Sequence, residues 1–99
     1  MSTLYFSRYF RDKGGRAYME CEGYAHLEPD PTHPDGVICD EITLVSYDGS
    51  LQAQYAKKRG DIVLSNDENP ALYLEYLNWL FVFHMADMQE VLAEAQAAA

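Results

Sequence analysis

The sequence predicts an α+β fold: an antiparallel, meander-like sheet of four to five strands, made from two β-hairpins, with one long C-terminal helix packed on it. Three observations predict it. Apolar and polar residues alternate with period two through the first half of the chain. The pairs Gly14-Gly15 and Asp48-Gly49 stand where hairpin turns need positive φ. Beyond Asn69 the alternation gives way to helix formers with apolar residues at helical spacing. With 99 residues, about half of them apolar, the chain is read as one α+β domain, 1–99.

Thr3–Phe10 is rich in aromatic residues and reads as the first strand. Asp12-Lys13-Gly14-Gly15 turns the chain into Arg16–His26. There Ala17, Met19, Cys21, Gly23 and Ala25 share one face, small and apolar, which predicts a core side close to a bulky element. Tyr18, Glu20, Glu22, Tyr24 and His26 take the other face. Glu28–Gly36 is a loop, because three prolines fix φ and remove donors. Val37–Tyr47 is the strongest strand, and Ser50–Lys58 reads as its return, with Leu51, Ala53 and Tyr55 on one face. Asp61–Leu64 is a short strand or a bend.

Asn69 is a capping residue and Pro70 suits the first helical position, so a helix is predicted from Ala71 to about Ala97. Ser65 with Glu68 offers a capping box one turn earlier. The stripe Leu74, Leu77, Phe81, Met85, Met88 and Leu92 follows the helical period and is assigned to the core. Tyr73, Tyr76, Trp79, Leu80 and Phe83 then form a second apolar face. These five are the candidate self-association residues of a homodimer, since leaving large side chains in water forgoes burial energy.

The net charge is −9, and it is unevenly placed. Residues 1–28 balance; residues 29–70 carry eight acids against Lys57, Lys58 and Arg59; residues 71–99 carry Glu75, Asp87, Glu90 and Glu94 with no Lys or Arg. Such a field repels phosphate backbones and anionic lipid surfaces and attracts basic proteins. The N-terminal residues lack the pattern of a secretory signal, and no apolar run reaches membrane length. The expectation is a cytoplasmic protein with Cys21 and Cys39 reduced.

Catalytic patterns are missing. His26, His33 and His84 stand in no nucleophile elbow, and Gly14-Gly15 lacks the helix a phosphate loop needs. Cys21 and Cys39 share a parity and would lie nearly opposite each other if the Pro-rich loop turned near Asp30. No C-x-x-C or H-x-x-x-H spacing supports zinc, so neither metal nor cofactor is expected. Arg59-Gly60-Asp61 matches an integrin-binding tripeptide, too short a motif to carry a function alone.

What remains is acidity combined with eight tyrosines. Glu20, Glu22, Asp30, Asp35, Asp40 and Glu41, with Tyr18 and Tyr24, are the candidate partner-binding residues. Carboxylates spaced between tyrosines imitate nucleic acid toward Arg and Lys. In size and charge alone, with no shared motif, the chain resembles small phage-encoded inhibitors such as anti-restriction and anti-CRISPR proteins. The expected function is a non-enzymatic inhibitor or adaptor acting on a basic, nucleic-acid-handling partner. Two alternatives are an assembly protein that pairs through its helix, and a small metal-dependent enzyme or sensor using His26, His33, Cys21 and Cys39.

Overall fold

The computed structural model describes residues 2–33, 36–48 and 60–98. Four antiparallel strands, β1 (Ser2–Arg11), β2 (Ala17–Pro29), β3 (Val37–Tyr47) and β4 (Ile62–Leu64), pair in chain order. Two helices, α1 (Pro70–Phe83) and α2 (Met85–Ala97), follow. The α+β class and the antiparallel meander agree with the alternation. The return strand expected at Ser50–Lys58 and the basic run Lys57-Lys58-Arg59 lie outside the described residues.

The turns follow from their residues. Asp12 accepts the backbone N–H of Gly14 and Arg16 on its carboxylate, and Gly15 takes φ 81°, a conformation costly to a side-chain-bearing residue. In the Pro-rich loop the Asp30 carboxylate accepts from the Thr32 N–H and hydroxyl, and Asp30 N–H donates to the Gly36 carbonyl. β2 therefore runs on to Pro29, and the loop is shorter than its composition suggests.

Three register shifts decide which side chains meet. One faces the Arg8/Tyr9 step, where β2 carries the extra residue Glu20. Two more separate β2 from β3, with Asp40 and Val45 the extra residues on β3. The bulge at Asp40 lets odd-numbered Cys39 and even-numbered Ile42 and Leu44 face the same core. It also sets Cys39 opposite Leu27, while Cys21 pairs with Tyr47. The expected apposition of the two cysteines is thus corrected: the hairpin turns beyond Asp30. Cys21, Gly23 and Ala25 are buried as predicted, whereas the extra residue Glu20 turns Ala17 and Met19 to the opposite face, and both are exposed.

Both helices cover one face of the sheet, α1 over β3 and β4, α2 over β1 and β2. The core joins Phe6, Cys21, Ala25, Leu27, Ile42, Leu44, Ile62 and Leu64 to the helical Leu72, Tyr73, Tyr76, Leu80, Met88 and Leu92. The predicted single helix is two, because the chain leaves helical geometry at His84 (φ −129°, ψ 16°). Neither proline nor glycine marks this break. Its logic is the four-residue spacing of Leu72, Tyr76, Leu80, Met88 and Leu92. In a straight helix each such step drifts by about 40°, so the series would wind off the sheet. The break resets the phase.

The same break inverts the expected faces of α1. Tyr73, Tyr76 and Leu80, assigned to self-association, lie in the chain's own core, while Leu74 is 53 % exposed and Phe81 36 %. Trp79 is half-buried against the core, and of the five only Phe83 is broadly exposed. Asn69 holds the N-cap position in the left-handed region, but its side chain donates to the Val63 carbonyl at 3.0 Å, tying α1 to β4. Ser65 accepts from Asp67 and Glu68 N–H groups, closing a turn ahead of the helix and leaving α1 without a capping box.

Both thiols are free and buried, and burial raises each from about 9 to about 11. The folded state therefore holds these protons more tightly than the unfolded chain, so their contribution to stability is complete below pH 9 and is lost as pH rises toward 11. Each shift corresponds to about 2–3 kcal/mol. Urea unfolding under reducing conditions is expected to show a flat stability below pH 9 and a steep fall above it, with a shallower fall in Cys39→Ala. A slope unchanged by Cys39→Ala would contradict this.

Candidate functional site

The bulge opposite Arg8 brings Glu20, expected on the outer face, to the helix side. There its carboxylate meets the Arg8 guanidinium at 3.3 Å and accepts the Tyr76 hydroxyl at 2.8 Å. The Tyr76 oxygen also lies 3.1 Å from the Cys21 sulfur, and burial together with that contact holds its proton far above the usual tyrosine range. Arg8 reaches Glu75 on α1 at 3.1 Å. Its buried Nη1 has no hydrogen-bond acceptor among the described residues. The guanidinium instead lies over the rings of Tyr76, 4.6 Å from the centroid, and Trp79, 5.4 Å away. A raised-pKa thiol beside a protonated phenol is a poor nucleophile, so the cluster serves as a polar clamp between β1, β2 and α1.

Removing one partner strands the others. Arg8→Met is expected to cost about 2–4 kcal/mol, since Glu20 is left mostly buried without a cation. The double variant Arg8→Met/Glu20→Gln should recover part of that loss in urea unfolding. A single-variant cost below about 0.5 kcal/mol would mark the pair as an ordinary surface contact.

Among the described residues no helix lies on the opposite face of the sheet. Tyr5 and Tyr24 meet edge-to-face at 5.5 Å, and the Tyr5 hydroxyl donates to the Glu22 carboxylate, which holds its proton above the usual tyrosine range. His26 bonds the Thr43 hydroxyl at 3.0 Å and approaches Glu41 to 3.6 Å. Glu22, Tyr24 and Glu41 thus remain together, with Tyr5 and His26 added to them. Asp40 is exposed beside them at its bulge, and Asp30 is engaged in its own loop. Tyr18 pairs with Phe10 beyond the Arg8 bulge and stacks on its ring at 5.6 Å, away from Tyr24. Asp35 lies outside the described residues.

Among the described residues the cations are sorted away from these carboxylates. Arg8 is neutralised by Glu20 and Glu75, and Arg11, Lys13 and Arg16 gather at the β1–β2 hairpin end. No Lys or Arg occurs from Ala17 to Ala56, or after Arg59. A groove of ≈390 Å³ runs between Leu4–Ser7 of β1 and the His84, Asp87, Glu90 and Glu94 side of α2. Asp87 holds His84 at 2.9 Å across the helix break.

Neither the groove nor the Arg8 clamp is foreseen from the sequence. Both depend on a bulge or a helix break that period counting does not register. Among the described residues no group of three His, Cys, Asp or Glu side chains is placed to hold a metal ion. No helix of the described residues is long and apolar enough to cross a membrane. The chain matches no protein-family model, no curated protein and no solved structure.

Proposed function

We propose that the chain is a non-enzymatic binding module, an inhibitor or adaptor that engages a basic, nucleic-acid-handling protein through its carboxylates. The observation that carries the reading is the sorting of charge among the described residues: Arg8 is neutralised internally, Arg11, Lys13 and Arg16 stand at one hairpin end, and β2, β3 and α2 carry acids with no Lys or Arg. The surface residues invoked are Glu22, Asp40 and Glu41 with Tyr24, on the face that neither α1 nor α2 covers, and Asp30 at its border. Rigid strands hold these groups without large ordering entropy, which favours pairing with Arg and Lys. Small size and acidity are what the chain has in common with phage-encoded inhibitors, and the reading extends no further than that likeness.

Affinity capture from a lysate at low and high salt tests the proposal. The expected result is a basic protein retained at low salt, released at high salt, displaced by nucleic acid, and held weakly by Asp30→Asn/Asp40→Asn/Glu41→Gln. Retention that ignores salt and these substitutions would count against it.

A second reading is self-association, favoured by one observation. Val82 and Phe83 are 73 % and 69 % exposed, and Leu74 and Phe81 add to the exposed apolar surface of α1. Light scattering at micromolar concentration decides it, because a monodisperse monomer removes the reading.

A further inference from the structure

The groove beside α2 has a feature that separates it from a surface dent. Successive residues of a strand point to opposite faces, yet Leu4, Tyr5, Phe6 and Ser7 all border it. A cavity touched by four consecutive strand residues lies along the strand's edge. β1 is the outermost strand of the sheet, and β2 contributes nothing to the groove lining. Among the described residues no strand pairs with that edge.

The strand is ten residues long and rich in aromatic residues. Exposed edges of that length are templates for another chain unless lysine, proline or a covering element blunts them. Leu4–Ser7 contains neither lysine nor proline. The wall across the groove supplies Asp87, Glu90 and Glu94, on a helix with no Lys or Arg anywhere along it.

We propose that the free edge of β1 takes up an extended, basic segment of a partner protein as an added strand. Its backbone completes the edge, and its Arg or Lys side chains pair with Asp87, Glu90 and Glu94. The inference rests on the basic-partner reading and names the surface that reading leaves open. The carboxylates choose the occupant, since an acidic or neutral strand gains only the backbone bonds. A second copy is disfavoured because each chain would bring its own acidic α2 to the shared edge.

The probe is a decapeptide in which arginine alternates with valine, titrated calorimetrically into the full chain at low salt. The expected results are binding, slowed hydrogen exchange at Leu4–Ser7, and affinity reduced about tenfold or more in Asp87→Lys/Glu90→Lys/Glu94→Lys. Two further peptides, N-methylated at the odd or at the even amides, keep the charge. One of them should lose binding because its edge-facing donors are blocked. Equal affinity of both methylated peptides, or of the charge-reversed chain, would overturn the strand addition and leave the basic-partner reading standing. Failure of every arginine peptide to bind would remove both. Slowed exchange at Leu4–Ser7 that appears with protein concentration alone would assign the edge to a second copy and overturn the proposal.

Discussion

Leu80→Ala is expected to destabilise the protein by about 3–5 kcal/mol, and Phe81→Ala by less than about 1 kcal/mol. Leu80 is wholly buried between α1 and the sheet, whereas its neighbour points outward. Deleting Leu80 beyond Cβ loses the transfer energy of its methyl groups and opens a cavity under α1 that the sheet cannot close. Phe81 has water along part of its ring, and its removal leaves no void. Urea unfolding of the two variants reads this directly. The period-based stripe, extended through His84 as one helix, requires the reverse order. A larger loss in Phe81→Ala would restore the single straight helix.

Gly23→Ala is expected to cost about 3 kcal/mol or more, through a different mechanism. A Cβ at Gly23 would stand 2.2 Å from the Thr43 carbonyl oxygen and 3.1 Å from the Leu44 Cα. Both are backbone atoms of the paired strand, so no rotamer relieves the clash and β2 must move away from β3. Gly23 lies at the register shift opposite Val45, where the ladder is already displaced. The ladder should loosen on both sides, and amide exchange at Thr43 and Leu44 is expected to rise well before global unfolding. An alanine variant as stable as the parent would mean that the strands are spaced more widely than the register requires.

The sheet was legible in the sequence because its signals are local. Gly14-Gly15, the proline cluster and the Val/Ile/Leu content of Val37–Tyr47 each act within a few residues, and the strands and turns formed where these stand. The small residues Cys21, Gly23 and Ala25 correctly announced a close-packed helix. The outer site was only partly legible. Strict alternation keeps Tyr18, Glu20, Glu22 and Tyr24 on one face, but one extra residue opposite Arg8 moves Glu20 and Tyr18 to the other. A bulge carries no composition signature here, since Glu20 is neither glycine nor proline. The helix break at His84 is equally silent. It goes with the placement of α2, which carries Met88 and Leu92, over β1 and β2, while α1 lies over β3 and β4. Long-range packing of that kind overrides local propensity.

In the proposed function, carboxylates carry recognition. The most direct measurement is the affinity of the chain for its captured partner between about 50 and 300 mM salt, where screening of exposed charges deepens sharply. The expected Kd rises about tenfold or more over that range, and the Glu22→Gln/Asp40→Asn/Glu41→Gln chain binds more weakly at low salt with a flatter dependence. A Kd indifferent to salt and to these substitutions would contradict it.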